Sequence, residues 1–192
     1  DDSVQLRIMT FNVWLGGQQV NIGRVFDAIR AADADIVLLQ EPEGQTRAFA
    51  ATRGYPYASE RHHIMSRYPL FDPTTADADF AFAELRPGRF VAVGDIHLTS
   101  DPYGPYAVRD GKTAEEVLKI ETDTRLPEIG PYITVLPPLA TAGVPVFIGG
   151  DFNAPSHLDW TGAMVTARPQ VRFPLEWPVS KALADAGFRD SY

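Results

Sequence analysis

The sequence predicts a layered fold of the α/β or α+β class, in which helices cover β-sheet. Segments with apolar residues at helical spacing alternate along the chain with short apolar runs of strand length. A β–α–β unit accounts for the first 41 residues, and a further buried strand is predicted close to the Gly149-Gly150 pair. This interleaving argues against a helical bundle and against an all-β sandwich.

The β–α–β unit begins with a strand predicted over residues 6–14, where side chains alternate with the strand period. Two glycines end that strand. Asn21 is a suitable N-cap for the helical segment IGRVFDAIRAA, whose apolar residues recur at helical spacing. Residues 36–40, IVLLQ, form a short apolar run typical of a fully buried strand. The unit therefore predicts two neighbouring strands with a helix packed across them.

The middle of the chain predicts one short helix and several short strands. The helix spans residues 45–53, and strands follow near residues 55–59 and 62–66. Residues 80–85 and 90–96 form a predicted hairpin, because the turn sequence Arg-Pro-Gly-Arg joins them.

The last part of the chain predicts a loop, helices and one more buried strand. Residues 100–111 are rich in Pro, Gly and Tyr and predict a loop. A helical pattern starts at residue 113, and Pro127 predicts a break, after which a second helical piece reaches about residue 139. The remaining elements are a buried strand over residues 144–148 and a helix over residues 180–186.

Charge and composition exclude several classes of protein. The chain has 17 Lys+Arg against 25 Asp+Glu, a net charge of −8, which argues against binding DNA mainly by phosphate neutralisation. An enzyme that contacts a single phosphate through a metal ion remains compatible with that charge. The absence of Cys excludes a disulfide scaffold and a cysteine zinc site. No apolar run approaches the ~20 residues of a transmembrane helix.

The length of 192 residues allows one domain, or at most two small ones, and we expect a single catalytic-type domain over residues 1–192. The lack of Cys is compatible with export, and the chain begins with Asp1 rather than Met. A cleaved signal peptide explains both observations, and the boundary of an expressed fragment explains the second. We expect a secreted or periplasmic protein, with a cytoplasmic enzyme as the alternative.

Polar side chains stand where the predicted strands end. They are Asn12, Glu41, His97, Asp151 and Asn153. Each one alone has an ordinary structural explanation, as a turn, a cap or a surface histidine. Ligands of layered folds collect at the carboxyl ends of strands, so the joint occurrence of these five residues predicts one site.

Five short motifs carry a resemblance to a known family. MTFNVW, LLQE, MSRYPL, DIHL and GGDFN occur in this order at residues 9–14, 38–41, 65–70, 95–98 and 149–153. With them the chain resembles the endonuclease/exonuclease/phosphatase superfamily, the deoxyribonuclease I-like group that includes sphingomyelinases and inositol-phosphate phosphatases. The resemblance runs from about residue 6 to residue 192. It implies a four-layer α/β/β/α sandwich of two packed mixed β-sheets.

The resemblance also implies a role for each polar residue. Glu41 matches the glutamate that binds a divalent cation, usually Mg²⁺, with Mn²⁺ or Ca²⁺ as alternatives, and Asn12 matches the asparagine that supports metal and phosphate. His97 matches the histidine that hydrogen-bonds the scissile phosphate. Asp151 matches the aspartate that orients or deprotonates the attacking water, and Asn153 matches the asparagine that contacts the phosphate. These residue types suit the chemistry, because a hard cation takes oxygen ligands and keeps several waters.

The family pattern continues beyond the end of this chain. It normally adds a Thr-Trp segment, an Arg-Ile-Asp strand and a terminal Ser-Asp-His, and none of these occurs here. Three accounts are open: a second polypeptide supplies these parts, they lie outside this sequence, or the chain is an inactive relative. We expect the fold to be incomplete in this chain, with an unpaired sheet edge that a second chain covers.

The expected function is a divalent-metal-dependent phosphoester hydrolase, specifically a phosphodiesterase acting on a small or lipid-headgroup phosphodiester. A nuclease of the same family is one alternative, and a non-catalytic binding or scaffold relative is another. The negative net charge argues against the nuclease, and the basic residues nearest the predicted site, Arg109, Lys112 and Arg125, are too few for a nucleic-acid track.

Overall fold

A computed structural model describes residues 3–74 and 77–191 of the chain. The described residues form two compact units, the first from Asp1–His97 and Pro138–Asp151, the second from Leu98–Pro137 and Phe152–Tyr192. Residues 1, 2 and 192, which end the predicted domain, lie outside the described residues.

The first unit contains two four-stranded mixed sheets. The first sheet has the order β1-β2-β4-β3 and comprises β1 (Ile8–Asn12), β2 (Ile36–Gln40), β3 (Tyr57–Ser59) and β4 (Ile64–Ser66). The second sheet has the order β5-β6-β7-β8 and comprises β5 (Leu70–Phe71), β6 (Phe80–Arg86), β7 (Arg89–His97) and β8 (Val146–Asp151).

Each sheet contains one parallel pair of strands. In the first sheet β1 runs parallel to β2, with Asn12 opposite Gln40. In the second sheet β7 runs parallel to β8, with His97 opposite Asp151. The carboxyl ends of each parallel pair therefore meet at one edge of their sheet, which is where the predicted site residues stand.

Strand β2 shows how the layers of the first unit are held together. Ile36 and Leu38 pack into an apolar cluster with residues of β4, β6 and β7, which joins the two sheets face to face. Val37 and Leu39 point to the opposite side, where α1 (Ile22–Ala32) and α2 (Thr46–Arg53) cover the first sheet. Because both faces of β2 are covered, its whole apolar run is buried. The predicted fold of two packed mixed sheets with helices is confirmed.

The second unit is helical. Its helices are α3 (Gly104–Arg109), most of α4 (Ala114–Thr141), α5 (Gly162–Ala167) and α6 (Pro178–Asp185). Trp160 and Trp177 meet edge to face in its core, with ring centroids 4.9 Å apart. Within α4 the buried Arg125 donates to Glu121 at 2.9 Å and also to the carbonyl of Pro102 at 2.8 Å.

Two local predictions are wrong in the second unit. The stretch 100–111 is not loop throughout, because Gly104–Arg109 forms α3. The helix does not break at Pro127, because α4 is continuous over 28 residues. An internal proline costs a helix about 3 kcal/mol. In α4 this cost is offset by burial of a stripe of side chains spaced four apart, from Val117 to Ile129.

No helix in the described ranges combines the length and apolar character that a membrane crossing requires.

The approach of β8 to β7 leaves no room for a side chain at Gly150. Its φ is 153°, and a Cβ there would lie 1.8 Å from the carbonyl oxygen of Ile96. We expect Gly150→Ala to lower the free energy of unfolding by about 3 kcal/mol or more, measured by urea denaturation. Gly149→Ala is the matched control, because its Cβ would meet the movable Leu38 side chain at 3.2 Å. Equal losses for the two variants would contradict this account of the β7–β8 packing.

Candidate active site

Four of the five predicted residues lie in the first unit, at the carboxyl ends of its parallel strands. Asn12 is the last residue of β1 and Glu41 directly follows β2. His97 and Asp151 are the last residues of β7 and β8. The two sheets thus each contribute a pair of side chains to the same edge.

The Asn12 side chain joins the two carboxylates. Its Nδ2 donates to Oε1 of Glu41 at 2.9 Å and to Oδ2 of Asp151 at 3.0 Å. An amide nitrogen carries two hydrogens, so both donors of Asn12 are used. Because the amide is neutral, it holds the carboxylates of Glu41 and Asp151 close together at the carboxyl ends of the strands without adding a charge of its own.

A strained turn after β1 fixes Asn12 and Glu41 from the backbone side. The N–H of Trp14 donates to Oδ1 of Asn12 at 2.9 Å, and the N–H of Leu15 donates to Oε2 of Glu41 at 3.0 Å. Trp14, Leu15 and Glu41 all have positive φ, at 51°, 50° and 57°. Such conformations cost roughly 1–3 kcal/mol each in non-glycine residues and cluster at functional sites.

His97 faces both carboxylates without bonding to either. Its Nε2 lies 3.9 Å from Oε1 of Glu41 and 4.0 Å from Oδ2 of Asp151. These distances exceed a hydrogen bond, so the three side chains surround a gap at the edge of the sheets.

Asn153 belongs to the second unit, two residues along the chain from Asp151. Its Nδ2 donates to the carbonyl of Leu98 at 2.9 Å, and its φ is 47°. Its contact with a phosphate stays a prediction.

The donor set fits a hard divalent cation. Among the described residues no group of three or more His, Asp and Glu side chains forms a metal cage. Mg²⁺ does not need one, because it keeps several waters and takes one or two carboxylates. Glu41 and Asp151 supply carboxylate oxygens at one place, and Asn12 fixes both. Glu41 would hold the cation in such an arrangement, and this role and the supporting role of Asn12 both stay predictions.

A polar link between the sheets lies next to this site, and its residues stand inside the family motifs although the sequence alone predicted no role for them. Gln40 precedes Glu41, and its Nε2 donates to Oδ1 of Asp95 at 2.5 Å and to Oγ1 of Thr10 at 3.0 Å. Asp95 stands on β7 two residues before His97. The link therefore ties the end of β2 to the end of β7. The available signal was an acidic residue inside the apolar run VAVGDIH.

Burial raises the pKa of the Asp95 carboxyl to about 8, mainly through desolvation. The folded protein thus keeps a proton on Asp95 that the unfolded chain loses near its ordinary pKa of 3.8. We expect the free energy of unfolding to fall as the pH rises from about 4 to about 8 and then to level off. The total fall is ~1.4 kcal/mol for each unit by which the pKa of Asp95 differs between the folded and the unfolded chain.

Asp95→Asn should remove that slope and stabilise the protein most above pH 8. The measurement is urea unfolding between pH 5 and pH 9, with the exposed Asp159→Asn as the matched control. If the free energy of unfolding depends on pH equally in the wild type and in Asp95→Asn, then Asp95 is not the group that causes this dependence.

Comparisons with known proteins agree with the fold. The Endonuclease/Exonuclease/phosphatase family matches residues 9–181. An uncharacterized protein of Caenorhabditis elegans, F14F9.5, is 32% identical over 207 residues, which cover 97% of this chain and 65% of that protein. The chain thus spans about two thirds of the length of this relative. No solved structure gives a significant match.

Proposed function

The chain belongs to the endonuclease/exonuclease/phosphatase family, and on that premise we propose that it serves as a divalent-metal-dependent phosphodiesterase for a small or lipid-headgroup phosphodiester. The observation that carries the proposal is the bridge from Asn12 to Glu41 and Asp151, with His97 within 4.0 Å of both carboxylates. Hydrolysis of a phosphoester needs this set of groups: a carboxylate for a cation, a carboxylate for water and a donor for the phosphate.

The proposed role of each site residue follows from the chemistry of its side chain. Asp151 orients the attacking water and accepts its proton, since a carboxylate has acceptors and no donor when ionised. His97 donates a hydrogen bond to a phosphate oxygen from the exposed side of the gap. Asn12 keeps the two carboxylates in place. A bound divalent cation on Glu41 would offset the charge that develops on the phosphoryl oxygens.

The charge of the chain supports a small or zwitterionic substrate over nucleic acid. A net charge of −8 repels a polyanion, whose binding depends on neutralising many phosphates. A single phosphodiester is instead bound by one cation and a few hydrogen-bond donors, which the site provides.

The test is hydrolysis of a chromogenic phosphodiester with Mg²⁺, Mn²⁺ or Ca²⁺, with and without chelator. We expect turnover that chelation abolishes and added metal restores. Sphingomyelin, single-stranded DNA and inositol phosphates assayed in parallel identify the substrate class. Turnover that survives chelation would refute the metal mechanism, and an intact fold with no turnover on any of these substrates would favour a scaffold role.

We further propose that another polypeptide segment completes the second sheet. Among the described residues β8 pairs with β7 alone. Phe147, opposite Val93 in register, lies on the side turned toward the first sheet, yet it is exposed. The C. elegans relative extends well beyond the matched region. A segment with strand propensity that co-purifies with the chain and slows hydrogen exchange of the β8 amides would support this proposal. Equal exchange of the β8 amides with and without such a segment would overturn it.

A further inference from the structure

Four large apolar side chains in the segment that follows β1 are exposed. They form what we call the apolar rim: Trp14 (55% exposed), Leu15 (43%), Val20 (45%) and Ile22 (38%). The first three lie in the connection from β1 to α1, and Ile22 is the first residue of α1. Single exposed apolar residues are ordinary, whereas several of them in one short segment mark a candidate interaction surface.

The rim is held in place by the site itself. The backbone N–H groups of Trp14 and Leu15 bond the side chains of Asn12 and Glu41. The next residue, Gly16, donates its N–H to the carbonyl of Glu41 at 2.7 Å. The two rim residues next to the site are thus attached to the groups that would hold the cation.

The two rim residues next to the site, Trp14 and Leu15, carry large side chains on a strained backbone. Trp14 and Leu15 have left-handed backbone conformations, which favour glycine. Glycine follows at Gly16 and Gly17, where the same handedness is unstrained. About half of each side chain is nevertheless exposed, 55% for Trp14 and 43% for Leu15. This exposed apolar surface can contact a ligand outside the described residues.

We propose that the apolar rim inserts into the surface of a zwitterionic phospholipid bilayer and brings the headgroup phosphodiester to Asn12, Glu41 and His97. This inference rests on the proposed function and specifies how its substrate is presented. Three of the four rim residues are aliphatic, which suits acyl chains, whereas nucleobases bind by stacking on aromatic rings. The net charge of −8 disfavours anionic membranes and favours a zwitterionic surface.

The tryptophans of this chain provide a direct reporter. Trp160 and Trp177 are buried in the core of the second unit, while Trp14 is exposed. We expect phosphatidylcholine vesicles to shift the fluorescence of Trp14 to shorter wavelength, in the absence of any divalent cation or turnover. Vesicles rich in phosphatidylserine should give a weaker shift at low ionic strength.

A pair of charge-introducing variants tests the location. Val20→Asp places a charge in the rim and leaves the Trp14 reporter intact, so we expect vesicle partitioning to fall about tenfold or more. Leu158→Asp makes the same kind of change at an exposed position of the second unit and should bind vesicles as the wild type does. Both variants should hydrolyse a soluble phosphodiester at the wild-type rate.

The outcomes separate this inference from the proposed function. No shift with vesicles, or equal loss in both variants, would overturn the inference, whether or not a soluble diester is hydrolysed. A shift produced by a single-stranded oligonucleotide instead of vesicles would overturn it in favour of a nucleic-acid surface. Vesicle binding that depends on Val20 would support the rim even if a soluble diester is not hydrolysed, in which case the proposed function alone fails.

Discussion

Asp151→Asn should lower kcat by roughly 10²–10⁴-fold, the range attributed to general acid–base catalysis, and added Mg²⁺ or Mn²⁺ should not restore it. The substitution keeps the shape of the side chain and an oxygen that can still accept from Nδ2 of Asn12, whose bond to Asp151 is 3.0 Å long. What it removes is the basic carboxylate to which the proposed mechanism assigns the orientation and deprotonation of water. The loss should therefore appear in kcat while the fold and the metal requirement are retained.

The measurement is a metal titration of the hydrolysis rate, with circular dichroism and thermal unfolding to verify the fold. His97→Ala should behave in the same way, because the proposed mechanism places His97 on the phosphate rather than on the cation. If metal rescues Asp151→Asn, then Asp151 binds the cation and its assignment to water is wrong.

Glu41→Gln should instead weaken metal binding. It removes a full negative charge from the cation site, so the metal concentration for half-maximal activity should rise by tenfold or more, and excess metal should partly restore the rate. The structure adds a second effect. Both oxygens of Glu41 accept hydrogen bonds, from Asn12 and from Leu15. Glutamine has one such oxygen, so one of these bonds is lost, at about 1 kcal/mol of stability.

Isothermal titration with Mn²⁺ and the metal dependence of the rate measure this effect independently. Glu43→Gln is a suitable control, because it changes the same charge two residues along the chain. Unchanged metal affinity in Glu41→Gln, together with a rate that metal cannot restore, would mean that the roles of Glu41 and Asp151 are exchanged.

The local elements of this fold follow from sequence pattern. The apolar run IVLLQ is buried along its whole length, and the N-cap predicted at Asn21 accepts a hydrogen bond from Gly23 at 2.9 Å. The hairpin formed by β6 and β7 lies where its turn sequence predicts it. These features depend on side-chain periodicity and on backbone preferences of neighbouring residues, which are properties of a few consecutive residues.

The chemical types of the site residues were also predictable, because each residue ends a strand or follows one closely. Their convergence was not. Asn12 and Asp151 lie 139 positions apart and stand in different sheets. Parallel pairing places Asn12 beside the end of β2 and Asp151 beside the end of β7, and the face-to-face packing of the two sheets then brings the two side chains to 3.0 Å. Sheet packing depends on which apolar surfaces are buried together, and that is a property of the folded unit.

Tertiary packing decided three features that local rules do not reach. It carries α4 through Pro127, because the burial of one helix face outweighs the lost hydrogen bond. It raises the pKa of Asp95 to about 8, because desolvation depends on what surrounds the carboxyl group. It leaves Trp14 exposed in a left-handed turn, because bonds from its backbone and that of Leu15 to Asn12 and Glu41 hold the chain there. The sequence by itself determined the elements and the chemical groups at their ends; packing decided which groups meet and in what environment, because both depend on residues far apart in the chain.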